Sequence, residues 1–159
     1  MLFRSAEDGR LKKIYMEELL GDHIPASKWK RMKYLIDCLF SAIDTNNDGY
    51  IDFLEYLMSV KFFQTESSAD KANFIFRIMD KNGDKMISGK DIERLLECLE
   101  EYHRKSSNAH VLDAMSHGTK SATNTIVEKL DGKKSGLIGA DEFTSGWLKD
   151  ESIRALFTF

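Results

Sequence analysis

The chain contains one proline, Pro25, and two cysteines, Cys38 and Cys98, in 159 residues. With so little proline, few positions are barred from helix interiors, and the chain reads as largely helical. The two cysteines lie far apart in helix-like sequence, which excludes a disulfide framework and fits thiols kept in a reducing compartment. Neither sign of charge dominates: 23 Lys and Arg against 26 Asp and Glu leave −3, so no basic field points to nucleic acid. No apolar run approaches the roughly 18–20 residues that an integral membrane segment needs. The start, Met1-Leu2-Phe3-Arg4, lacks a signal-peptide pattern, and Leu2 stands where N-myristoylation requires glycine. The expected location is therefore cytoplasmic. Stretches that alternate apolar and polar residues, the mark of half-buried strands, are short.

What is present is helical periodicity. Trp29, Met32, Ile36, Leu39, Phe40 and Ile43 share one face, and Asp44 ends that block. Phe53, Leu57 and Val60 begin a second block. Phe74, Ile75, Ile78 and Met79 form a third, closed by Asp80. Ile92, Leu95, Leu96, Leu99 and Tyr102 form a fourth. A less regular block holds Val111, Met115, Ile126, Val127 and Leu130, and the last runs through Phe143, Trp147 and Leu148. Residues 102–125, rich in Ser, His, Lys and Asn, read as a connection between helices.

Asp44, Asp80 and Asp131 each stand where a helix stops, and Ile51, Ile87 and Ile138 each follow at the same interval. This is an internal helix–loop–helix repeat. Residues 44–55 match the pattern D-x-N-x-D-G-x₅-E of an EF-hand calcium loop. Calcium takes six to eight oxygens at about 2.3–2.6 Å. Asp44, Asn46, Asp48, the Tyr50 carbonyl, Asp52 and Glu55 would supply them, with Gly49 making the sharp turn. Four acids and no base give this loop a charge of −4, which favours a divalent counter-ion over a simple polar turn.

Residues 80–91 repeat the pattern imperfectly. Asp80, Asn82, Asp84 and the Met86 carbonyl are in place, but Lys85 replaces the turn glycine and Asp91 replaces the final Glu. A side chain one methylene shorter is less able to offer both oxygens, which moves preference towards Mg²⁺ or weak Ca²⁺ binding. Three lysines cancel three acids there. Residues 131–142 keep Asp131, Gly136 and Glu142, but Lys133 stands at a ligand position and has no lone pair to give. This loop is expected to be empty and kept for its fold. Residues 4–15 hold Asp8-Gly9 in the same register, yet Arg4, Ala6 and Tyr15 stand at ligand positions, so they read as a degenerate motif. The residues at position 8 should pair across loops, Leu11 with Ile51 and Ile87 with Ile138. The expected fold is all-α, with two lobes of paired motifs at 1–65 and 66–159 and short β-bridges between loops.

This layout resembles the neuronal calcium sensor family, in particular its guanylate cyclase-activating branch, shortened at the N-terminus. The resemblance rests on Asp44-Thr-Asn-Asn-Asp-Gly-Tyr-Ile-Asp-Phe-Leu-Glu-Tyr56, on the step to Asp80, and on the tail Glu142-Phe143…Gly146…Asp150…Ile153…Leu156. It implies a Ca²⁺ sensor that contacts a target protein, with a cyclase or another membrane-associated enzyme as the target class. Trp29, Met32, Leu57, Met58, Phe62 and Phe63 are the residues whose exposure to an amphipathic target helix would change. A lobe one helix short should leave apolar surface for a partner or a second copy to cover, so a homodimer stays open. The alternative is a Ca²⁺/Mg²⁺ buffer or structural regulatory subunit that does not switch. No enzyme is expected, because His23, His103, His110 and His117 fall at no catalytic or zinc spacing. The basic run Lys28-Trp29-Lys30-Arg31-Met32-Lys33 reads as a solvated face beside a buried Trp.

Overall fold

The computed structural model describes residues 9–21, 28–64, 66–106 and 115–157. His23, Pro25 and His110 lie outside them, as do Arg4, Ala6 and Asp8 of the degenerate motif. The chain divides into two compact units, Met1–Glu66 and Ser67–Phe159. Among the described residues there are eight α-helices and two two-stranded antiparallel sheets, an all-α protein with bridged loops. No described helix is long and apolar enough to cross a membrane.

The first unit runs β1 (Leu11–Lys12), α1 (Lys13–Gly21), α2 (Trp29–Ile43), β2 (Tyr50–Ile51) and α3 (Phe53–Gln64). The apolar stripe of α2 buries Leu35, Ile36, Cys38, Phe40 and Ala42. The helix stops at Asp44, whose N–H still reaches the Phe40 carbonyl at 2.8 Å. β1 pairs with β2 through Leu11↔Ile51. Those two side chains pack with Phe40 as a small core, flanked by Tyr15, Met16, Ile43 and Tyr56. Burying each large apolar side chain stabilises the unit by about 1.5–3 kcal/mol. Tyr15, at the last position of the degenerate motif, is thus a packing residue. Lys13 pairs with Asp37 at 2.9 Å and Lys33 with Glu17 at 3.6 Å, which ties α1 to α2. The basic run keeps Lys30, Arg31 and Lys33 exposed and Trp29 half-buried.

α3 departs from an amphipathic pattern. Its apolar residues Phe53, Leu54, Leu57 and Met58 are all exposed, Leu54 by 70%. Phe62, Trp29 and Met32 are half-buried, and the Phe63 side chain lies outside the described part.

The second unit runs α4 (Ser68–Met79), β3 (Met86–Ser88), α5 (Gly89–Ser106), α6 (Thr119–Leu130), β4 (Leu137–Gly139), α7 (Ala140–Lys149) and α8 (Glu151–Leu156). β3 pairs with β4 through Ile87↔Ile138. Its core centres on Phe143, whose ring lies 5.8 Å from those of Phe76 and Trp147 and 6.0 Å from that of Phe157. The buried Trp147 indole donates to Ser68 Oγ at 3.1 Å. Gly146 lets Leu130 pack close, since a Cβ there would lie 1.8 Å from a Leu130 methyl and force that side chain to shift. Of the stretch expected as a connection, residues 102–106 extend α5 and 119–125 begin α6. Thr123 explains the error. It is buried on one face with Ile126 and Leu130 and acts as an apolar-face residue, so the helical period was masked by its hydroxyl.

Candidate metal centres

Each of the three loops starts with an Asp at a helix C-terminus and ends with an acid in the first turn of the next helix. Loop 44–55 joins α2 to α3. Asp44 is buried and accepts the N–H of Asp48 at 3.2 Å on Oδ1 and that of Gly49 at 3.0 Å on Oδ2. Asn46 Oδ1 accepts from Asp48 N at 2.9 Å, and Asp48 Oδ1 from Tyr50 N at 2.9 Å. These Asx-type bonds wind the loop so that its oxygens face inward. Gly49 sits at φ 82°, in the left-handed region that favours glycine.

Asp52 and Glu55 form a reciprocal capping box at the start of α3. Glu55 N donates to Asp52 Oδ1 at 2.8 Å, and Asp52 N to Glu55 Oε2 at 3.1 Å. The other oxygen of Glu55 crosses the loop. Oε1 accepts from Thr45 N at 2.8 Å, Thr45 Oγ1 at 2.9 Å and Asn46 N at 3.3 Å. Glu55 is itself buried. One side chain therefore links the start of α3 to the end of α2. The Tyr50 ring lies beneath two cations of the opposing strand segment, Arg10 Cζ at 5.0 Å and Lys12 Nζ at 5.8 Å from its centroid.

Loop 80–91 joins α4 to α5. Asp80 Oδ2 accepts from Lys85 N at 3.0 Å, while Oδ1 is buried with no hydrogen-bond partner. Leaving such an oxygen unsatisfied costs about 1–3 kcal/mol. Asn82 and Asp84 bond to each other at 2.8 Å, and Met86 N donates to Asp84 Oδ1 at 2.9 Å. Lys85 takes φ 63°, a conformation that costs a side-chain-bearing residue about 1–2 kcal/mol. Asp91 Oδ2 accepts from Ser88 N at 2.9 Å and Ser88 Oγ at 2.6 Å, so its hydrogen bonds end at the helix cap. Met86 lies in β3 with its side chain exposed.

Loop 131–142 joins α6 to α7. Both Asp131 oxygens are satisfied, by Ser135 N at 3.0 Å and Gly136 N at 2.7 Å. Those N–H bonds hold its carboxyl below the usual carboxylate range. Glu142 Oε2 accepts from Gly139 N at 3.1 Å, and Oε1 pairs with Lys133 Nζ at 3.2 Å. The Gly139 N–H first, and then Lys133, lower the Glu142 pKa.

Among the described residues, no three His, Cys, Asp or Glu side chains are gathered tightly enough to chelate an ion unaided. An EF-hand loop does not depend on such a cluster, since Asn, a backbone carbonyl and water complete the shell. The donor chemistry of loop 44–55 fits Ca²⁺: all-oxygen, four acids, no base within the loop, and two of the acids buried. The orphaned Asp80 oxygen fits a small hard cation in loop 80–91. Loop 131–142 does not fit, because an ammonium already meets its Glu.

Sequence reasoning missed three features. Position 4 is left-handed in every loop, at Asn47 (φ 56°), Gly83 (φ 71°) and Lys134 (φ 54°). Asn47 and Gly83 carried a signal, since both tolerate that region. Thr45 and Ser88 bind the closing acids. Phe53 and Leu54 extend the exposed face of α3. His103 is buried within α5, and His117 is exposed with Nδ1 3.0 Å from Ser116 Oγ, far from any candidate site in sequence.

A sequence pattern describing an EF-hand domain pair matches residues 32–97 and 69–148. The chain is 30% identical over 118 residues to a guanylyl cyclase inhibitory protein of Lithobates pipiens, covering 74% of this chain and 56% of that protein. It is 25% identical to guanylyl cyclase-activating protein 1 of Gallus gallus, covering 77% and 58%. It is 30% identical to calcineurin B-like protein 5 of Arabidopsis thaliana, covering 72% and 53%. The chain thus spans little more than half the length of these curated relatives.

Proposed function

We propose that this chain, which belongs to the EF-hand domain-pair family, is an intracellular Ca²⁺ sensor acting on a target protein through the apolar face of α3. The observation that carries the reading is that Glu55 and the exposed Leu54, Leu57 and Met58 stand on the same helix. Asp44, Asn46, Asp48, the Tyr50 carbonyl, Asp52 and Glu55 are the proposed ligands. Bound Ca²⁺ would supply a divalent centre of positive charge for these oxygens. Glu55 would then exchange its grip on Thr45 and Asn46 for the centre of the loop. Because Asp52 and Glu55 also cap α3, that exchange is passed to the helix as a whole. The presentation of Leu54, Leu57 and Met58 changes with it, towards an amphipathic helix of the partner. The names of the relatives make a guanylyl cyclase one candidate target class.

Loop 80–91 supports a second, non-switching role in the other unit. Its proposed ligands are Asp80, Asn82, Asp84, the Met86 carbonyl and Asp91. Asp91 reaches one methylene less far than Glu55 and bonds only at its own helix cap, so an ion shared with Asp80 would couple α5 to the loop less than Glu55 couples α3. Mg²⁺ or weakly held Ca²⁺ suits that geometry.

The test is the fluorescence of a dye that binds exposed apolar surface, followed through a Ca²⁺ titration of wild type and Glu55→Gln. The sensor reading expects a Ca²⁺-dependent change in wild type that the variant loses. An unchanged signal in wild type would sink it and leave the buffer.

A further inference from the structure

In all three loops the closing acid spends one oxygen on the helix cap, and the loops differ in what the other oxygen meets. In loop 44–55 it meets the N–H groups of Thr45 and Asn46. In loop 131–142 it meets a cation of the protein's own, Lys133, at 3.2 Å. We infer that Lys133 is the resident cation of loop 131–142: its ammonium supplies, opposite Glu142, the positive charge that a bound metal ion would supply, and adds a small increment to the closure of the loop.

Lys133 occupies the third position of the loop, and Glu142 the twelfth. The pair thus spans the loop as a shared ion would, joining its first half to the first turn of α7. The backbone is wound as in the intact loop. Asp131 takes the N–H groups of Ser135 and Gly136, as Asp44 takes those of Asp48 and Gly49. Gly136 sits at φ 78°, beside φ 82° at Gly49. The loop therefore lacks an oxygen at position 3 but not the fold of an ion-binding loop. Lys133 is 76% exposed, so the pair is worth little as a surface salt bridge. Its consequence is exclusion: an incoming cation meets an ammonium at Glu142 and finds no ligand at position 3. Ile138 is held opposite Ile87 by the β3–β4 pairing, to which the ion pair adds a small increment.

This inference stands apart from the sensor reading and is tested on the full chain. Lys133→Asp replaces the cation by the missing ligand. It should raise the Ca²⁺ stoichiometry in calorimetry by one site per chain. Lys133→Met removes the cation without adding a ligand. It should add no site, and should speed amide hydrogen exchange at Gly139 and Ile138 by about 2–5-fold, the scale of an exposed ion pair. Lys133→Arg should keep the wild-type exchange. Unchanged exchange in Lys133→Met, or no added Ca²⁺ in Lys133→Asp, would overturn the inference.

Discussion

Glu55 and Asp91 occupy the same position in successive loops and differ by one methylene. Glu55 caps α3 with one oxygen and reaches Thr45 and Asn46 with the other. Asp91 places the same oxygen on both the N–H and the hydroxyl of Ser88 and goes no further. The first arrangement couples two helices through a carboxylate. The second fixes one helix start. Lys85 sharpens the contrast, because it holds at φ 63° the turn that Gly49 makes without strain. Side-chain length at one position thus decides whether the closing acid spans its loop or stays at its own helix cap.

The largest expected effect is that of metal removal. Chelation of Ca²⁺ present at 100 times its dissociation constant should remove about 2.7 kcal/mol of stability from the binding unit. For a unit of this size that lowers Tm by roughly 10–20 °C. Scanning calorimetry should find most of this shift gone in Glu55→Gln and mostly kept in Asp91→Asn; equal losses would break the comparison. Next comes Gly49→Ala. Forcing a Cβ into φ 82° costs about 1–2 kcal/mol, and since the metal-free loop already holds that turn, the cost should appear as lost folding stability. Urea unfolding would measure it. Asp91→Glu should work in the opposite direction, raising Ca²⁺ affinity of loop 80–91 by about tenfold and shifting its preference from Mg²⁺ to Ca²⁺. Competition titration would detect either change.

Smaller effects belong to the second unit. Lys85→Gly should relieve the left-handed strain by about 1 kcal/mol, partly offset by the greater freedom of glycine in the unfolded chain. Urea unfolding would read the net gain. Asp150 accepts from Lys129 Nζ and Ser152, and these partners hold its pKa well below the usual carboxylate value. A folded-state pKa below the unfolded one gives stability that is present above the ordinary carboxylate range and lost as pH falls through the folded value. Lys129→Gln should therefore flatten the acid limb of the unfolding curve.

Much of this was legible in the sequence because the motif is local. The turn glycine of loop 44–55 and the bridges Leu11↔Ile51 and Ile87↔Ile138 follow from residue order alone. The damage at Asp91 was legible as a length difference. What escaped depended on three-dimensional context. Thr123 looks polar and behaves as a face residue of α6. Lys133 read as a missing ligand, while its tip meets Glu142. Phe53 and Leu54 read as ordinary helix residues, and only packing decides that the first turn of α3 faces outward.

Calcium response should be concentrated in loop 44–55. Calorimetric titration of Ca²⁺ into wild type and Glu55→Gln, each with and without Mg²⁺, tests it directly. One dominant Ca²⁺ site in wild type should weaken by about 100-fold or more in the variant, beyond the losses that indirect metal partners cause. Any weaker binding at loop 80–91 should persist and compete with Mg²⁺. Tight Ca²⁺ binding that survives Glu55→Gln would contradict the account.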